Sequence, residues 1–479
     1  MDGAQKSKIK VVSSKGFSQA DRAEEANANM QRGVSMQVTE IKDYIQDNGI
    51  DSIRVDFSDI HGVNRGKIVP AYRFEEIVEE GITCAQAVSA VMLNNDIAPG
   101  SGVADEISYG DMKIVPDITT FSTVPYLDKT IRFIGDPVVD DQPWPFSPRN
   151  QLKHILAKYA QLNLRPIVAS ELEFYVFKTN GAGTCDFYCD KPSNVYTMSP
   201  RVDPQNIMHK LQQILSEMGY DILYYNHEFF QGQYEFNWKH SDALKMADQT
   251  FTFKNVCKEL AHLENLLITF MGRPRNDAGG SGFHMHFSMN DADGKNIFDD
   301  PSGNMGMAET MRHFIGGIME HAKASTAFLA PTVNSYKRFQ LDSFAPYYIG
   351  WGLDNRTVYL RVPSERGPAT RVEVRAGCAS ANPYLAISAV LAAGLEGINN
   401  AIDPGEPFEG DMYRESPDRF ETMPLSLFRS LRELEGDTDF CDAMGKKIVQ
   451  NFMAMKEAEI ELYRSWVSDW EFEHYSYHL

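Results

Sequence analysis

Three short segments carry charged or titratable residues two positions apart, the spacing that places side chains on one face of a β-strand. The segment ASELEFYVF contains Glu171 and Glu173, and GGSGFHMHFS contains His284 and His286. The residues between them are apolar, so the opposite faces are expected to pack against a core. Each pair alone also fits a solvated strand face. Two carboxylates on one face repel each other and therefore favour a bound cation.

Two further segments extend this set of acidic side chains. NHEFFQGQYEFNW contains Glu228 and Glu235 on either side of a candidate turn at Gly232, and RVEVR places Glu373 between two arginines. If these strands share a sheet, five carboxylates and an imidazole meet on one face. Oxygen-dominated ligation favours Mg²⁺ or Mn²⁺ over zinc or copper. This number of carboxylates suits two ions rather than one.

The second chemical signal is a group of arginines in a chain with a formal net charge of −20. The planar guanidinium group fits carboxylate and phosphate. Metals together with arginines predict a phosphoryl-transfer site that holds ATP and a carboxylate substrate. The sequence contains neither GxxxxGK[ST] nor GxGxxG, so ATP would bind outside the common phosphate loops. The arginines are Arg338, Arg356, Arg361, Arg371 and Arg375.

The elements that must position these residues can be read from hydrophobic periodicity. Alternating and helical patterns indicate both strands and helices along the whole chain, and proline after asparagine marks one helix start. The predicted elements are a helix at Val38–Asn48, strands at Ile53–Phe57 and from Lys67 to Pro70, a strand at Ile167–Phe177, an acid-capped helix at Asp203–Met218, a helix after His240, and a helix capped by Asn382 that contains Leu385–Ile398.

Length and composition predict two folded domains. The chain has 479 residues, more than the roughly 250–300 residues that one core usually supports. A stretch rich in Pro and Asp, residues 136–148, indicates a boundary. We therefore expect a flexible extension at residues 1–35, a small α+β domain at 36–140 and a larger catalytic domain at 145–479.

Composition also excludes several classes of partner. A pI near 5.1 argues against nucleic acid and anionic membrane, which need basic faces. No apolar run approaches the ~20 residues of a membrane span, and the first residues lack the apolar region of a signal peptide. Six scattered cysteines are typical of reduced thiols, so a cytoplasmic location is expected.

Taken in order, the segments ELEF, GQYE, GSGFHMH, NSYKR, DNRT and RVEVRAGCASANPYLAISAVLAAGLEGI resemble the glutamine synthetase family. The nearest likeness is to its γ-glutamyl-amine ligases, of the γ-glutamylpolyamine, γ-glutamylalkylamide and γ-glutamylanilide synthetase type. The resemblance runs from about residue 36 to the C-terminus. It implies an α+β fold, with an N-terminal β-grasp domain and a catalytic domain whose curved antiparallel sheet is flanked by helices. It also implies a homo-oligomer, usually a dodecamer of two hexameric rings, with active sites between subunits.

The resemblance assigns a role to each matching position. It implies that the first metal is held by Glu173, Glu228 and Glu235, and the second by Glu171, His284 and Glu373. Glutamate would be bound by Gly280, Arg338 and Arg375, and Arg356 would join those two arginines in catalysis. The nucleotide and its phosphates would contact His286, Ser288, Arg361 and Arg371.

The implied reaction has two steps. The γ-carboxylate of L-glutamate attacks the γ-phosphate of ATP, giving γ-glutamyl phosphate and ADP, and an amine then displaces phosphate. Metals and arginines would act by positioning and by neutralising charge. A role in amine catabolism or detoxification is expected.

Two departures from the family concern the amine. Ammonia-using members carry an aspartate after an EEG turn and a glutamate in a flap, and by spacing these positions are Ala85 and Phe344. Asp342 is the only nearby acid, and Tyr196 matches an aromatic residue beside the same pocket. An apolar pocket disfavours a charged alkylammonium. We therefore expect a primary amine larger than ammonia, and a compact apolar alkyl- or arylamine rather than a polycation such as putrescine.

Several alternatives stay open. Phe344 can instead fill space in an open flap, and the enzyme can be a glutamine synthetase that uses ammonia or a γ-glutamylpolyamine synthetase. A non-catalytic relative should have lost metal ligands, and a metallohydrolase would not need five arginines. Where the family commonly has asparagine, Gly279 leaves room for a modified acyl donor. Tyr413 lies near a region that some members adenylylate, although GDMYRES is a poor match.

Overall fold

The computed structural model describes residues 36–103, 105–180, 185–189 and 194–479. The predicted flexible extension at residues 1–35 lies outside the described residues. The described chain combines two β-sheets with helices, which confirms the predicted α+β class.

The first sheet contains six strands in the described part of the chain, in the order β2-β1-β5-β4-β3, with β6 paired to β5. Strands β1 and β5 are parallel, and the other pairs are antiparallel. Apolar side chains of β1, such as Ile53 and Val55, are fully buried. The elements of this part are α1 Val38–Asp47, β1 Ser52–Ser58, β2 Asn64–Pro70, α2 Phe74–Glu80, β3 Ile82–Ala85, β4 Asp111–Thr123, β5 Thr130–Val139 and β6 Gln142–Pro143.

The second sheet contains ten strands among the described residues, and its main path runs β14-β15-β16-β13-β7-β10-β9. The short strands β8, β11 and β12 all pair with the long β7. Its strands are β7 Arg165–Thr179, β8 Cys185–Phe187, β9 Ile222–His227, β10 Gln233–Trp238, β11 Ser241–Asp242, β12 Leu266–Thr269, β13 Phe283–Asn290, β14 Trp351–Leu353, β15 Leu360–Val362 and β16 Val372–Val374.

Helices pack around this second sheet. The apolar α8 is almost entirely buried and contacts several other helices. The helices are α3 Pro148–Gln161, α4 Ile207–Glu217, α5 Ala243–Leu263, α6 Glu309–Glu320, α7 Ala322–Leu329, α8 Pro383–Asn400, α9 Leu427–Gly436, α10 Thr438–Met444, α11 Lys446–Arg464 and α12 Asp469–Tyr475. Among the described helices, none has both the length and the apolarity needed to span a bilayer.

Most predicted elements are confirmed, but the strand predicted from Lys67 begins at Asn64, and one helix start is wrong. The helix predicted from Asp203 begins at Ile207, after Asn206 adopts a left-handed backbone with φ 57°. Asp203 nevertheless caps it, because its carboxylate accepts hydrogen bonds from the backbone N–H groups of Ile207 (2.8 Å) and Met208 (3.0 Å). Asn382 caps α8 as predicted, accepting from the Tyr384 N–H at 3.0 Å.

A buried arginine joins the two sheets. Arg149, at the start of α3, donates to Asp136 (2.7 Å) and Asp117 (2.9 Å) in the first sheet region and to Asp248 (2.8 Å) on α5. Three carboxylates around one buried guanidinium give each donor group a partner. The first sheet is therefore linked by charge to α3 and α5, two helices that contact β7 of the second sheet, and the domain boundary at 140–145 stays a prediction.

Candidate active site

Strand register brings the charged residues onto one face of the second sheet. Directly opposite each other in neighbouring strands lie Glu173 and Glu235, and likewise Glu171 and His284. Directly opposed residues of an antiparallel pair share a face. The period-two spacing seen in the sequence therefore becomes a continuous polar surface across β10, β7, β13 and β16.

One metal-binding set is assembled in the structure. Within the described residues, only Glu171, His284 and Glu373 offer donor atoms that all lie within 4.8 Å of one another. His284 Nδ1 lies 2.8 Å from Glu171 Oε1 and 3.9 Å from Glu373 Oε1. These are the three predicted ligands of the second metal, and two carboxylates with one imidazole suit Mg²⁺ or Mn²⁺.

The three predicted ligands of the first metal line a cleft that Glu171 and His284 also border. Glu173, Glu228 and Glu235 border it, but among the described residues their oxygens do not form such a close group. Burial, followed by repulsion from Glu171 and Glu173, raises the pKa of Glu235 to about 10. Burial and the charge of Glu173 raise the pKa of Glu228 to about 7. These carboxylates therefore fit a site whose negative charge needs divalent cations.

Neighbouring groups lower the pKa of two other acids, Glu171 and Glu373. Burial opposes ionisation of Glu171, but hydrogen bonds with His284 and His286 outweigh it and lower the pKa of Glu171 well below its usual range. Burial likewise opposes ionisation of Glu373, yet the charge of Arg375 lowers its pKa to about 2. The site thus contains two acids whose pKa is lowered, Glu171 and Glu373, and two whose pKa is raised, Glu228 and Glu235.

Two of the predicted catalytic arginines are buried beside this surface. Arg375 is 2% exposed, forms an ion pair with Glu373 and donates to the Phe344 carbonyl at 3.2 Å. Arg338 is 4% exposed and donates to the Ala376 carbonyl at 3.2 Å. No carboxylate of the described chain lies within ion-pair distance of Arg338. A buried guanidinium in that state has the charge and geometry to bind an acidic ligand.

A glycine loop lies between the metal set and Arg338. A Cβ atom on Gly282 would lie 2.8 Å from His284 Nε2, 3.0 Å from Glu173 Oε1 and 3.3 Å from Arg338 Nη2. A Cβ on Gly280 would lie 2.7 Å from Arg338 Cγ. Gly280 and Gly282 therefore leave open the space on which His284, Glu173 and Arg338 converge.

The predicted ATP-binding residues lie at or beyond the edge of this space. His286 Nε2 is 3.4 Å from Glu171, and Ser288 follows it on the same face of β13. Arg361 donates to Glu373 at 2.7 Å, and Arg371 lies 3.5 Å from Glu365. None of these four borders the main cleft.

A cleft of about 1630 Å³ contains the centre of the site, including the exposed Arg356. One side of the cleft is aromatic: Phe229 and Phe344 stack with ring centroids 5.7 Å apart and planes at 22°. The predicted amine-pocket residues Tyr196 (φ 59°) and Phe344 (φ 57°) both have left-handed backbones, which is unusual for bulky residues and typical of functional sites.

The flap, defined here as residues 340–345, carries Phe344 and accepts hydrogen bonds from residues elsewhere in the chain. Burial raises the pKa of Tyr413 to about 12, and its hydroxyl donates to the Ala345 carbonyl at 2.9 Å. Asp342, the only nearby acid in the sequence, pairs with Arg414 at 2.6 Å. The described flap therefore presents an aromatic ring to the cleft and uses its acid elsewhere.

Two expectations about pocket residues differ from the structure. Ala85 is exposed at the end of β3, opposite Asp111, and does not border the cleft. In the single chain, Ala85 therefore lies outside the site. The space expected beside Gly279 is filled, because ring atoms of Phe230 occupy the position that a Cβ on Gly279 would take. Room for a modified acyl donor at this point is absent.

The sequence reasoning missed several supporting residues. Gln233 donates to Glu173 at 3.0 Å and to the Gly280 carbonyl at 2.9 Å. Asn226 and Asn237 each donate at 2.7 Å to the glutamate two positions away, Glu228 and Glu235 respectively. The same period of two that identified the acids would have identified these amides.

Comparison with known families gives a match over most of the chain. Residues 145–475 match the model described as glutamine synthetase, catalytic domain. The glutamine synthetase of Halobacterium salinarum is 34% identical over 448 residues, covering 91% of this chain and 95% of that relative. The glutamine synthetase of Thermotoga maritima is 32% identical over 453 residues, covering 92% and 100%.

Solved structures give a similar result. The structure of apo GmaS has a TM-score of 0.82 at 30% identity, covering 91% of this chain and 99% of GmaS. A complex of GmaS with ADP gives the same values. A structure described as a novel glutamine synthase homolog has a TM-score of 0.77 at 26% identity, covering 89% and 98%.

Proposed function

Because the chain belongs to the glutamine synthetase family and is an ATP-dependent carbon–nitrogen ligase, we propose that it joins L-glutamate to a primary amine larger than ammonia. The products are a γ-glutamylamide, ADP and phosphate. A compact apolar alkyl- or arylamine fits the cleft best. The single observation that carries this proposal is the stacked pair of Phe229 and Phe344 beside the buried acids.

The acyl donor is proposed to bind where the buried Arg338 meets the glycine loop. Arg338 binds one carboxylate of glutamate, and Arg375 orients the γ-carboxylate close to Glu373. The γ-carboxylate oxygen then attacks the γ-phosphorus of ATP, and the bond to the β,γ-bridging oxygen breaks to release ADP. Arg375 and the exposed Arg356 stabilise negative charge on the transferred group.

The second step consumes the acyl phosphate. The amine nitrogen attacks the acyl carbon, the bond from that carbon to the phosphate oxygen breaks, and the departing phosphate takes one proton from the nitrogen. Phe229 and Phe344 keep water from this carbon by covering the cleft on the amine side, which limits hydrolysis of the intermediate.

Two divalent ions, Mg²⁺ or Mn²⁺, are proposed at this site. Their chemistry is to neutralise the phosphates and to polarise the carboxyl group. The second ion fits Glu171, His284 and Glu373, whose donor atoms already converge. The first ion is proposed to be held by Glu173, Glu228 and Glu235, which line the same cleft. His286, Ser288, Arg361 and Arg371 are proposed contacts of ATP.

A homo-oligomer is also proposed, with a dodecamer of two hexameric rings as the expected form. Ala85 does not line the cleft of its own chain, which supports a pocket completed by a neighbouring subunit. A cytoplasmic location stays a prediction from cysteine usage.

Ammonia as the substrate is the second candidate. The curated relatives from Halobacterium salinarum and Thermotoga maritima are both named glutamine synthetase. GmaS, a γ-glutamylmethylamide synthetase, supports the larger amine instead. A γ-glutamylpolyamine synthetase is disfavoured by the aromatic wall, because a second ammonium would lose its hydration there.

The test is phosphate release from ATP, L-glutamate and Mg²⁺ or Mn²⁺ with a panel of amines: ammonium, methylamine, isobutylamine, benzylamine, aniline and putrescine. We expect the highest kcat/KM with an apolar amine and little turnover with putrescine. A kcat/KM for ammonium that equals or exceeds every amine would overturn the larger-amine proposal. The variant Phe344→Glu, alone and with Ala85→Asp, should shift the preference toward ammonium.

A further inference from the structure

Two adjacent phenylalanines form the tip of the hairpin between β9 and β10. The turn is closed by hydrogen bonds from the Glu228 N–H to the Gln233 carbonyl (2.8 Å) and from the Gln233 N–H to the Phe230 carbonyl (3.0 Å). Phe229 is 55% exposed and Phe230 is 42% exposed, and both border the cleft. Large apolar side chains exposed in a cleft indicate contact with an apolar part of a ligand.

The ring of Phe230 lies against the glycine loop. It occupies the space that a side chain at position 279 would fill, while Arg338 contacts the same loop at Gly280. The Tyr175 hydroxyl donates to the Gly279 carbonyl at 3.2 Å and fixes this loop. Phe230 and the buried Arg338 therefore border one space, in which a carboxylate can meet the guanidinium and a carbon chain can meet the ring.

The ring of Phe229 lies against the flap instead. It stacks on Phe344, whose backbone is held by the hydrogen bond from Arg375 to its carbonyl. Phe344 is 53% exposed, so both rings of the stack present edges or faces to the cleft. The two neighbouring phenylalanines thus contact two different loops, on two sides of the hairpin tip.

We propose that Phe229 and Phe230 are specificity-determining residues that divide the cleft into an amine subsite and an acyl-donor subsite. Phe229, with Phe344, contacts the apolar substituent of the amine. Phe230, with Arg338 and the Gly279–Gly280 backbone, contacts the carbon chain of the acyl donor. This division rests on the proposed ligase function and names the residues that select each of its substrates.

The division predicts separate effects on the two Michaelis constants. Removing an aromatic wall costs about tenfold or more in binding the apolar group that contacts it. Phe229→Ala should raise the KM for benzylamine at least about tenfold and leave the KM for L-glutamate within about twofold. Phe230→Ala should do the reverse. Phe428→Ala, at an exposed phenylalanine on α9 that does not border the cleft, is the matched control and should change neither constant.

A double-mutant cycle tests the contact with the glycine loop. Gly279→Ala should raise the KM for L-glutamate, because its Cβ would displace the Phe230 ring. In the Phe230→Ala background the same substitution should have little effect, since the space is then free. Additive effects would show that the ring does not fill this space in the working enzyme.

The proposal is overturned if Phe229→Ala and Phe230→Ala raise both Michaelis constants in the same ratio, since both residues would then only support the hairpin. If the wild-type protein shows no amine-dependent phosphate release, the proposed function fails, and direct binding decides the division. Calorimetric titration with benzylamine and with L-glutamate, in the presence of Mg²⁺ and ADP, should show that Phe229→Ala weakens only the first. Equal weakening of both, or of neither, would refute the division.

Discussion

At the scale of single residues, the site is organised around positions that lack a side chain. Gly282 lies where His284, Glu173 and Arg338 converge. It therefore borders one residue of each proposed metal set and the proposed acyl-donor subsite. Two acids of this site have opposite pKa shifts, because the charge of Arg375 lowers the pKa of Glu373, whereas burial and then repulsion from its neighbours raise the pKa of Glu235. An added methyl group at the convergence point should therefore disturb the chemistry more than the fold.

Gly282→Ala tests this directly. The new Cβ would lie 2.8 Å from His284 Nε2 and 3.0 Å from Glu173 Oε1, which must then move. Misplacement of reacting groups by about 1 Å costs on the order of 10²-fold in rate. We expect kcat to fall by about that factor, measured as phosphate release. Gly436→Ala, where a Cβ meets nothing within 4 Å, should keep full activity.

At the scale of elements, the flap depends on a contact from a distant part of the chain. Phe344 holds a left-handed backbone, which costs about 1–3 kcal/mol unless neighbours enforce it. The neighbours are Arg375, which donates to the Phe344 carbonyl, and Tyr413, which donates to the Ala345 carbonyl. Modification of the buried Tyr413 hydroxyl would break this contact.

Tyr413→Phe removes only that hydrogen bond. The buried Ala345 carbonyl loses its partner, at a cost of about 1 kcal/mol, and the flap should become less ordered. We expect the KM for the amine to rise about fivefold while the KM for ATP stays unchanged. Tyr348→Phe is the control, because its hydroxyl donates at 2.9 Å to the Glu415 carbonyl; an equal effect of both variants on the amine would contradict a specific role for Tyr413.

A second element-scale contact makes stability depend on pH. His321 lies between α6 and α7, and its Nδ1 is 2.7 Å from Oδ2 of Asp437, the residue that caps α10. The His321 ring stacks on Phe440. Burial opposes protonation, but the hydrogen bond and charge of Asp437 outweigh it and raise the pKa of His321. The charges of Glu320 and Glu396 raise it further.

A raised pKa in the folded state means that protonated His321 stabilises the fold. This stabilisation is complete below the unfolded-state pKa of about 6.5 and is lost as the pH rises through the folded-state pKa. We expect the free energy of unfolding, measured with denaturant, to decline above pH 6.5 in the wild type. The decline should be smaller in His321→Gln, and identical pH profiles would show that the pair contributes nothing.

At the scale of the whole molecule, the chain exposes apolar surface that a single subunit does not cover. The segment from position 466 to 479 includes Trp466, 75% exposed, and Tyr477, 93% exposed, on and around α12. Contiguous exposed aromatic residues indicate an interaction surface. Because a homo-oligomer is proposed, a second copy of the chain is the expected partner.

Combined substitution Trp466→Ala and Phe472→Ala should weaken the assembly. The particle mass, measured by light scattering after gel filtration, should fall to that of a smaller oligomer, and activity should fall with it if subunits share the site. Glu473→Gln on the same helix is the control and should leave the mass unchanged. A variant of unchanged mass would remove this segment from the proposed interface.

The sequence by itself determined the strands that carry the acids, the acid-capped and proline-initiated helices and the family. These depend on local periodicity and on short motifs, which need no knowledge of distant neighbours. A spacing of two marked Glu171, His284 and Glu373 as candidate ligands, and the family resemblance grouped these three as one predicted metal set.

Only the tertiary structure decided which faces meet and what fills the space between them. Strand register placed Glu173 opposite Glu235, and side-chain packing put the Phe230 ring over Gly279 and the Phe229 ring on Phe344. The position of Ala85 outside the cleft lining could not be read from sequence spacing, since it depends on how the two sheets are arranged. Contacts between residues far apart in the chain arise from packing of the whole fold, which local patterns do not encode.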